Sequence, residues 1–148
     1  MVSVFCALPL YGADLDLSYT DAFFEAVSGV TTTGSTVLSG LDEMSYGLLL
    51  WRSMMQWVGG LGIVAFTIFL LPYLKVGGMQ IFRSEASGYE GKVMPRSTEI
   101  LGGLVQIYIG ITAVCLLVYR SLGMSWFDAI NHSMTTISTG GFSTHDAS

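Results

Sequence analysis

The chain has 148 residues, 51% of them hydrophobic and only 11% charged, with 18 glycines and a mean hydropathy of +0.60, a balance that describes an integral membrane protein rather than a soluble domain. A net charge of -5 with only six Lys and Arg residues excludes a nucleic-acid surface, because nothing clusters to neutralise phosphates. Cys6 and Cys115 stand among apolar neighbours with no CxxC spacing and no nearby histidine ladder, so they read as small core residues rather than a disulfide or metal pair.

The N-terminal "MVSVFCALPLYG" is apolar, too short to cross a bilayer and without the basic region of a signal peptide, so it reads as the tail of a helix that starts further upstream. Residues 21–30 form a short amphipathic helix, with Asp21 at its start as a side-chain acceptor for the helix N-terminus. The polar loop "VTTTGST" follows. Residues 48–73, "LLLWRSMMQWVGGLGIVAFTIFLLPY", carry one charge, Arg52. A helix of that length covers about 36–39 Å, more than the ~30 Å hydrocarbon core. Arg52 lies about one turn inside the span and is expected to snorkel to the headgroups. Pro72, Gly77 and Gly78 mark the exit into a loop. A second span covers residues 98–119, with Glu99 at one end and Arg120 just beyond the other. Another short helix, residues 128–137, starts at Asp128 and runs into "ISTGGFST".

Charge sets the orientation. Residues 75–96 hold Lys75, Arg83, Lys92 and Arg96 against Glu85 and Glu90, whereas residues 12–43 hold Asp14, Asp16, Asp21, Glu25, Asp42 and Glu43 and no Lys or Arg. By the positive-inside rule the first segment is cytoplasmic and both Thr/Gly loops lie on the outer side.

An internal repeat organises the chain. An ungapped shift of 107 residues places Asp21, Ala22, Thr32 and Gly34 on Asp128, Ala129, Thr139 and Gly141, with Phe23, Val27 and Val30 on Ile130, Met134 and Ile137. The same shift lays residues 1–10 over 108–117, inside the second span. The expected units are 1–73, a first pore-loop repeat with a shortened outer helix; 74–96, a cytoplasmic connection; and 97–148, a second repeat that stops before its inner helix. The chain therefore reads as a fragment of a longer repeated protein, and two loops alone are not expected to conduct.

The expected architecture is all-α: outer helix, re-entrant pore helix with its loop, inner helix. A ten-residue helix that enters the membrane and stops leaves non-helical backbone at depth, tolerated only where protein or a water-filled cavity satisfies it. Thr, Ser and Gly in that place leave carbonyl oxygens free to replace the water shell of a cation, and the negative end of the preceding helix favours the same charge. Alone, a TTTGST string is an ordinary turn; its recurrence between membrane helices is what points to a filter. The ungapped shift pairs Gly34 with Gly141, while Gly140 takes that place with a one-residue gap.

At "TDAFFEAVSGVTTTGSTVLSGLD", "WRSMMQWVGGLGI", "VGGMQIFRSE" and "FDAINHSMTTISTGGFSTHDAS" the chain resembles the TrkH family of bacterial potassium-uptake subunits in the Trk/Ktr/HKT superfamily. The resemblance covers nearly the whole chain. It implies four pseudo-repeated units around one pore, a homodimer of the full-length chain, a TrkA-like cytosolic nucleotide-binding regulatory partner, and a multi-pass place in the bacterial inner membrane. It also implies that Thr31, Thr32, Thr33, Gly34 and Ser35 form the first filter strand and Ser138, Thr139, Gly140, Gly141 and Phe142 the second. K+ would meet the backbone carbonyls of Thr32, Thr33, Gly34, Thr139, Gly140 and Gly141. Thr31 faces Ser138 and Thr33 faces Gly140, so such a filter is chemically asymmetric.

Gly59, Gly60 and Gly62 suit close helix approach rather than a hinge. Trp51 and Trp57 read as interface or core aromatics, and Gln56 as a hydrogen-bond donor to a neighbouring helix rather than an ion ligand. His132 and His145 lack ligand-spaced partners, and the sequon at Asn131 falls in the second short helix. An enzyme is not expected: no GxxxxGK[ST], HExxH or GxSxG occurs, and no His or Lys base stands inside the spans. The rival reading is a non-conducting membrane scaffold that packs against a partner, which leaves the recurrence of the loop unexplained.

Overall fold

The computed structural model describes residues 1–13, 17–70 and 93–146, with the side chains of residues 68, 69 and 93–100 excepted. The loop expected at residues 74–96 lies largely outside these, as do Asp14, Asp16, Pro72, Gly77, Gly78, Lys75, Arg83 and Lys92. Helices are the only regular elements among the described residues: α1 (Val2–Tyr11), α2 (Tyr19–Val30), α3 (Tyr46–Leu70), α4 (Val93–Ser121) and α5 (Trp126–Ile137), with a single 3₁₀ turn at Leu41–Glu43. Two segments, Tyr46–Thr67 in α3 and Leu101–Ser121 in α4, are long and apolar enough to cross a membrane. Most side chains of the apolar part of α4 are exposed, with Thr112 buried where it meets Trp57.

The two repeats fold alike. α1 packs on α2, α4 packs on α5, and α3 touches all four. Each short helix starts the same way: the Ser18 hydroxyl accepts from the Asp21 N–H at 3.2 Å, and the Ser125 hydroxyl accepts from the Asp128 N–H at 3.1 Å. The cap is therefore the serine, three residues ahead of the aspartate expected in that role. Asp21 closes a capping box, receiving the Ser18 N–H. The turn into α5 passes through Gly123 at φ +99, left-handed backbone that suits a residue without Cβ.

Small side chains bring the elements together. Ala7 and Leu10 of α1, Ala22 and Ala26 of α2 and Met55 of α3 form one buried cluster, with Cys6 packed against it. A second cluster, Leu38, Leu41 and Leu49, has Phe127 of α5 packed against it, so the segment after the first loop rests on the second repeat. Across α3 and α4 the Trp57 indole donates to the Thr112 hydroxyl at 3.1 Å, and the Tyr108 hydroxyl donates to the Trp57 carbonyl at 3.0 Å. The Trp51 indole donates to the Cys6 carbonyl at 3.1 Å. Both tryptophans are helix-to-helix ties, as core aromatics should be.

Arg52 corrects an expectation. It does not snorkel: it is 1% exposed, enclosed between α3, α2 and both polar loops, and paired with Glu25.

Candidate selectivity filter

Both short helices end in the same backbone motif. At α2 the Thr32 N–H bonds the Gly29 carbonyl and the Thr33 N–H the Ser28 carbonyl, at 3.0 and 2.9 Å. At α5 the Thr139 N–H bonds the Thr136 carbonyl and the Gly140 N–H the Thr135 carbonyl, at 3.0 and 2.8 Å. This Schellman-type closure needs a left-handed residue, usually glycine. Here it is threonine: Thr32 has φ +57 and Thr139 φ +54. A β-branched residue in that region is a true outlier, at a cost of roughly 1–2 kcal/mol each. Strain repeated at equivalent positions is held by its surroundings and marks a place with a job.

Two residues on, Gly34 and Gly141 are left-handed as well, at φ +81 and +80. Gly140 is not, and a Cβ there would meet the Gln56 amide carbon at 2.3 Å. Gly141 is thus the conformational counterpart of Gly34, as the ungapped shift has it. The two loops also touch: a Cβ on Gly34 would lie 2.1 Å from the Gly140 carbonyl oxygen.

The remaining side chains of the two loops differ in burial: Thr31, Thr33 and Ser35 are exposed, whereas Ser138 and Phe142 are buried. The Thr31 hydroxyl donates to the Val27 carbonyl at 2.7 Å and meets the Thr33 hydroxyl at 2.8 Å, while the Ser138 hydroxyl donates to the Met134 carbonyl at 2.9 Å. Ser35 is exposed, whereas its counterpart Phe142 is 4% exposed, with its ring 4.3 Å from the Arg52 guanidinium carbon.

Gln56, fully buried on α3, clamps the second loop: its Nε2 donates to the Gly140 carbonyl at 2.8 Å and its Oε1 accepts the Phe142 N–H at 3.1 Å. Its partner is a loop, not the helix expected. The Gly140 carbonyl, expected to be free for a cation, is engaged by this amide. The glycine pair beside it has an equally local use. A Cβ on Gly59 would lie 2.1 Å from the Val30 carbonyl oxygen, and one on Gly60 would lie 2.9 Å from the Ser138 Cβ. These glycines admit the ends of both short helices.

The Glu25 carboxylate, fully buried, accepts from the Thr36 hydroxyl at 2.9 Å, the Val37 N–H at 3.2 Å and the Arg52 Nε at 2.9 Å. Arg52 also donates to the Thr36 hydroxyl at 3.1 Å and the Ser143 carbonyl at 3.3 Å. At the exposed end, His145 Nδ1 meets Asp42 Oδ1 at 2.5 Å, and its Nε2 lies 3.5 Å from Asp128 Oδ1. The histidine given no role by its sequence neighbours is thus a tie between the repeats. Asn131 of the sequon is buried within α5, its amide donating to the Phe127 carbonyl.

Paired strained loops after short re-entrant helices, on an all-helical membrane scaffold, have a match among known proteins. A family profile described as TrkH, cation transport protein, matches residues 1–148. The chain belongs to the TrkH family. The Trk system potassium uptake protein TrkI of Halomonas elongata is 48% identical over 147 residues, covering 99% of this chain and 30% of that protein. The Trk system potassium uptake protein TrkH of Escherichia coli K12 is 48% identical over 145 residues, covering 96% and 30%. The crystal structure of the potassium transporter TrkH from Vibrio parahaemolyticus superposes with a TM-score of 0.85 at 42% identity, over 100% of this chain and 29% of that one. The chain spans about 30% of the length of the curated relatives it matches. Its fold is that of the TrkH transporter, an all-α integral membrane architecture.

Proposed function

We propose that this chain supplies the first two of four pore loops in a potassium-uptake protein of the bacterial inner membrane, and that K+ passes along their backbone carbonyls. The observation that carries the reading is the repeated pair of left-handed residues, Thr32 with Gly34 and Thr139 with Gly141, in two loops that touch at Gly34 and Gly140. A left-handed threonine followed by a left-handed glycine gives a strand alternating handedness, and alternation of that kind lets successive carbonyls aim to one side. The carbonyls of Thr32, Thr33, Gly34, Thr139 and Gly141 then substitute for water around a cation, while the Gly140 carbonyl joins them only by sharing or releasing its bond from Gln56. Residues 31–35 and 138–142 are the two strands, and the C-terminal ends of α2 and α5 add negative potential at their inner edge.

The likeness to potassium-uptake proteins favours K+ as the cargo, with no covalently bound cofactor. The complete protein would hold four such units, 1–73 and 97–148 being the first two with 74–96 as the cytoplasmic connection. It would act as a homodimer with a TrkA-like cytosolic regulatory ring. A scaffold of the same fold needs no strained threonines.

Reconstitution of the full-length protein into liposomes tests the reading. Potassium flux down an imposed gradient, above that of empty vesicles, is the expected result; membrane insertion with no flux, with or without the regulatory ring, would favour the scaffold.

A further inference from the structure

Glu25 and His132 are equivalent at the shift of 107, and so are Thr36 and Ser143. In the second repeat this pair is a single contact, His132 Nε2 to Ser143 Oγ at 3.4 Å. In the first it is an ion-pair network. Glu25 and Arg52 are 0% and 1% exposed, and their charged groups lie 2.8 Å apart. The Thr36 hydroxyl donates to Glu25 while accepting from Arg52 Nη2 and the Leu38 N–H. From the same guanidinium, Nη1 crosses to the Ser143 carbonyl of the second loop, and the plane carbon covers the Phe142 ring. One buried cation therefore touches α2 through Glu25, the exit of the first loop through Thr36, and the exit of the second through Ser143 and Phe142.

Burying two charges is costly, and an apolar pair of similar volume often holds helices together as well or better. What an apolar pair cannot do is fix direction. The guanidinium fork has donors at set angles, so the positions of three acceptors on three segments become one rigid distance set. A loop whose carbonyls discriminate between ions by the size of the cage they form is served by such a constraint.

We propose that the Glu25–Arg52 pair is a positioning device that fixes the spacing of the two filter strands, and that Arg52 thereby sets the discrimination of K+ from Na+. The inference rests on the filter reading of these loops. Neither residue touches the ion; both act through the strands. Among the described residues the charge pair stands in the first repeat, with the weaker His132–Ser143 contact at the place in the second equivalent to Glu25 and Thr36.

The test uses the full-length protein in cells dependent on it for K+, with membrane abundance measured alongside uptake under Na+ competition. The variants are E25Q, R52K and T36V, with G34S as the reference for the filter. R52K keeps the charge but lacks the fork, and T36V removes the bridging hydroxyl at nearly constant shape. E25Q and R52K are expected to lower the ratio of K+ to Na+ affinity by about tenfold through the KM for K+, at maximal rates per molecule near normal. T36V is expected to shift the ratio the same way by less. A role in folding alone would lower abundance and leave the ratio of the surviving protein intact, and that result in E25Q and R52K overturns the proposal. If both are lost from the membrane, T36V decides: a lowered ratio supports the device, an unchanged ratio overturns it. A G34S shift beside unshifted E25Q, R52K and T36V overturns the brace alone, whereas no shift in any of the four overturns the filter reading with it.

Discussion

The carbonyl oxygen of Gly140 lies 2.1 Å from where a Cβ of Gly34 would stand, so the two loops meet backbone to backbone with no side chain between them. Gln56 holds the Gly140 side of this contact through two hydrogen bonds. Gln56→Leu keeps the volume and leaves a buried carbonyl and a buried N–H without partners, each worth about 1–3 kcal/mol. The purified protein is expected to melt several degrees lower, and an unchanged Tm would mean that water replaces the amide.

Gly59 and Gly60 are specific in a way that a general small-residue face is not. Gly59→Ala drives a Cβ into the Val30 carbonyl, which is backbone and cannot swing aside. Yield and thermal stability are expected to fall sharply. Gly62→Ala and Gly110→Ala, with nothing within 4 Å of the added Cβ, are the matched controls and are expected to remain near wild type. Because Ala is the better helix former, equal losses at all three positions would mean that contact with the end of α2 is not what makes Gly59 specific.

The capping serines predict a paired effect. Ser18→Ala and Ser125→Ala each remove the acceptor for an N-terminal N–H, at a typical cost of about 1 kcal/mol. Both variants should lose similar stability in thermal unfolding, and a large loss at one with none at the other would break the equivalence of the two repeats.

What was legible in the sequence was whatever repeats or runs locally. The two spans, the short helices before each loop and the pairing of Gly34 with Gly141 follow from apolar length and from a shift of 107 residues. Ser18 and Ser125 are readable too, since Ser-x-x-Asp is close to a capping box, but an aspartate at the same helix start is an equally good acceptor in its own right. The snorkelling expected of Arg52 fails for a physical reason: snorkelling and burial look alike along one helix, and only packing decides whether a carboxylate is in reach. The signal was present in combination, because Glu25 in a re-entrant helix and Arg52 in a span are two charges at membrane depth that each need a partner. Gln56 and Gly59 could be seen as packing residues, but which loop or helix end they met depends on the angles between helices, which periodicity does not encode.

At the exposed end, His145 gives a pH dependence with a definite sign. Its hydrogen bond with Asp42, against some desolvation and with the Asp128 charge helping, raises it above its ordinary 6.5. The same hydrogen bond holds Asp42 below its ordinary 3.8. For Asp128, burial acts upward but is outweighed by the Ser125 and Thr144 hydrogen bonds and the His145 charge, so it too lies below 3.8. A histidine raised on folding contributes stability that is fully present below its unfolded pKa and lost as pH rises through its folded one. The aspartates contribute above their unfolded values and lose it only in acid. Between about pH 6 and 8 the histidine dominates. The wild-type Tm should decline across that window, modestly because the side chain is 53% exposed, and H145Q should flatten the slope. Equal slopes in the two proteins would remove His145 from the linkage.

Ion competition at Gly34 and Gly141 is the most direct measurement of the proposed filter. Gly34 and Gly141 share a left-handed backbone, but an added side chain meets the Gly140 carbonyl only at Gly34. In the full-length protein, expressed in cells that depend on it for K+, Gly34→Ser and Gly141→Ser are compared by uptake in rising Na+. Both are expected to raise the KM for K+ and lower K+ preference, Gly34→Ser more severely; a shift of ~1.4 kcal/mol between the two ions would appear as a tenfold change in the ratio. Unchanged preference in both variants, at normal membrane abundance, would take these loops out of the ion path.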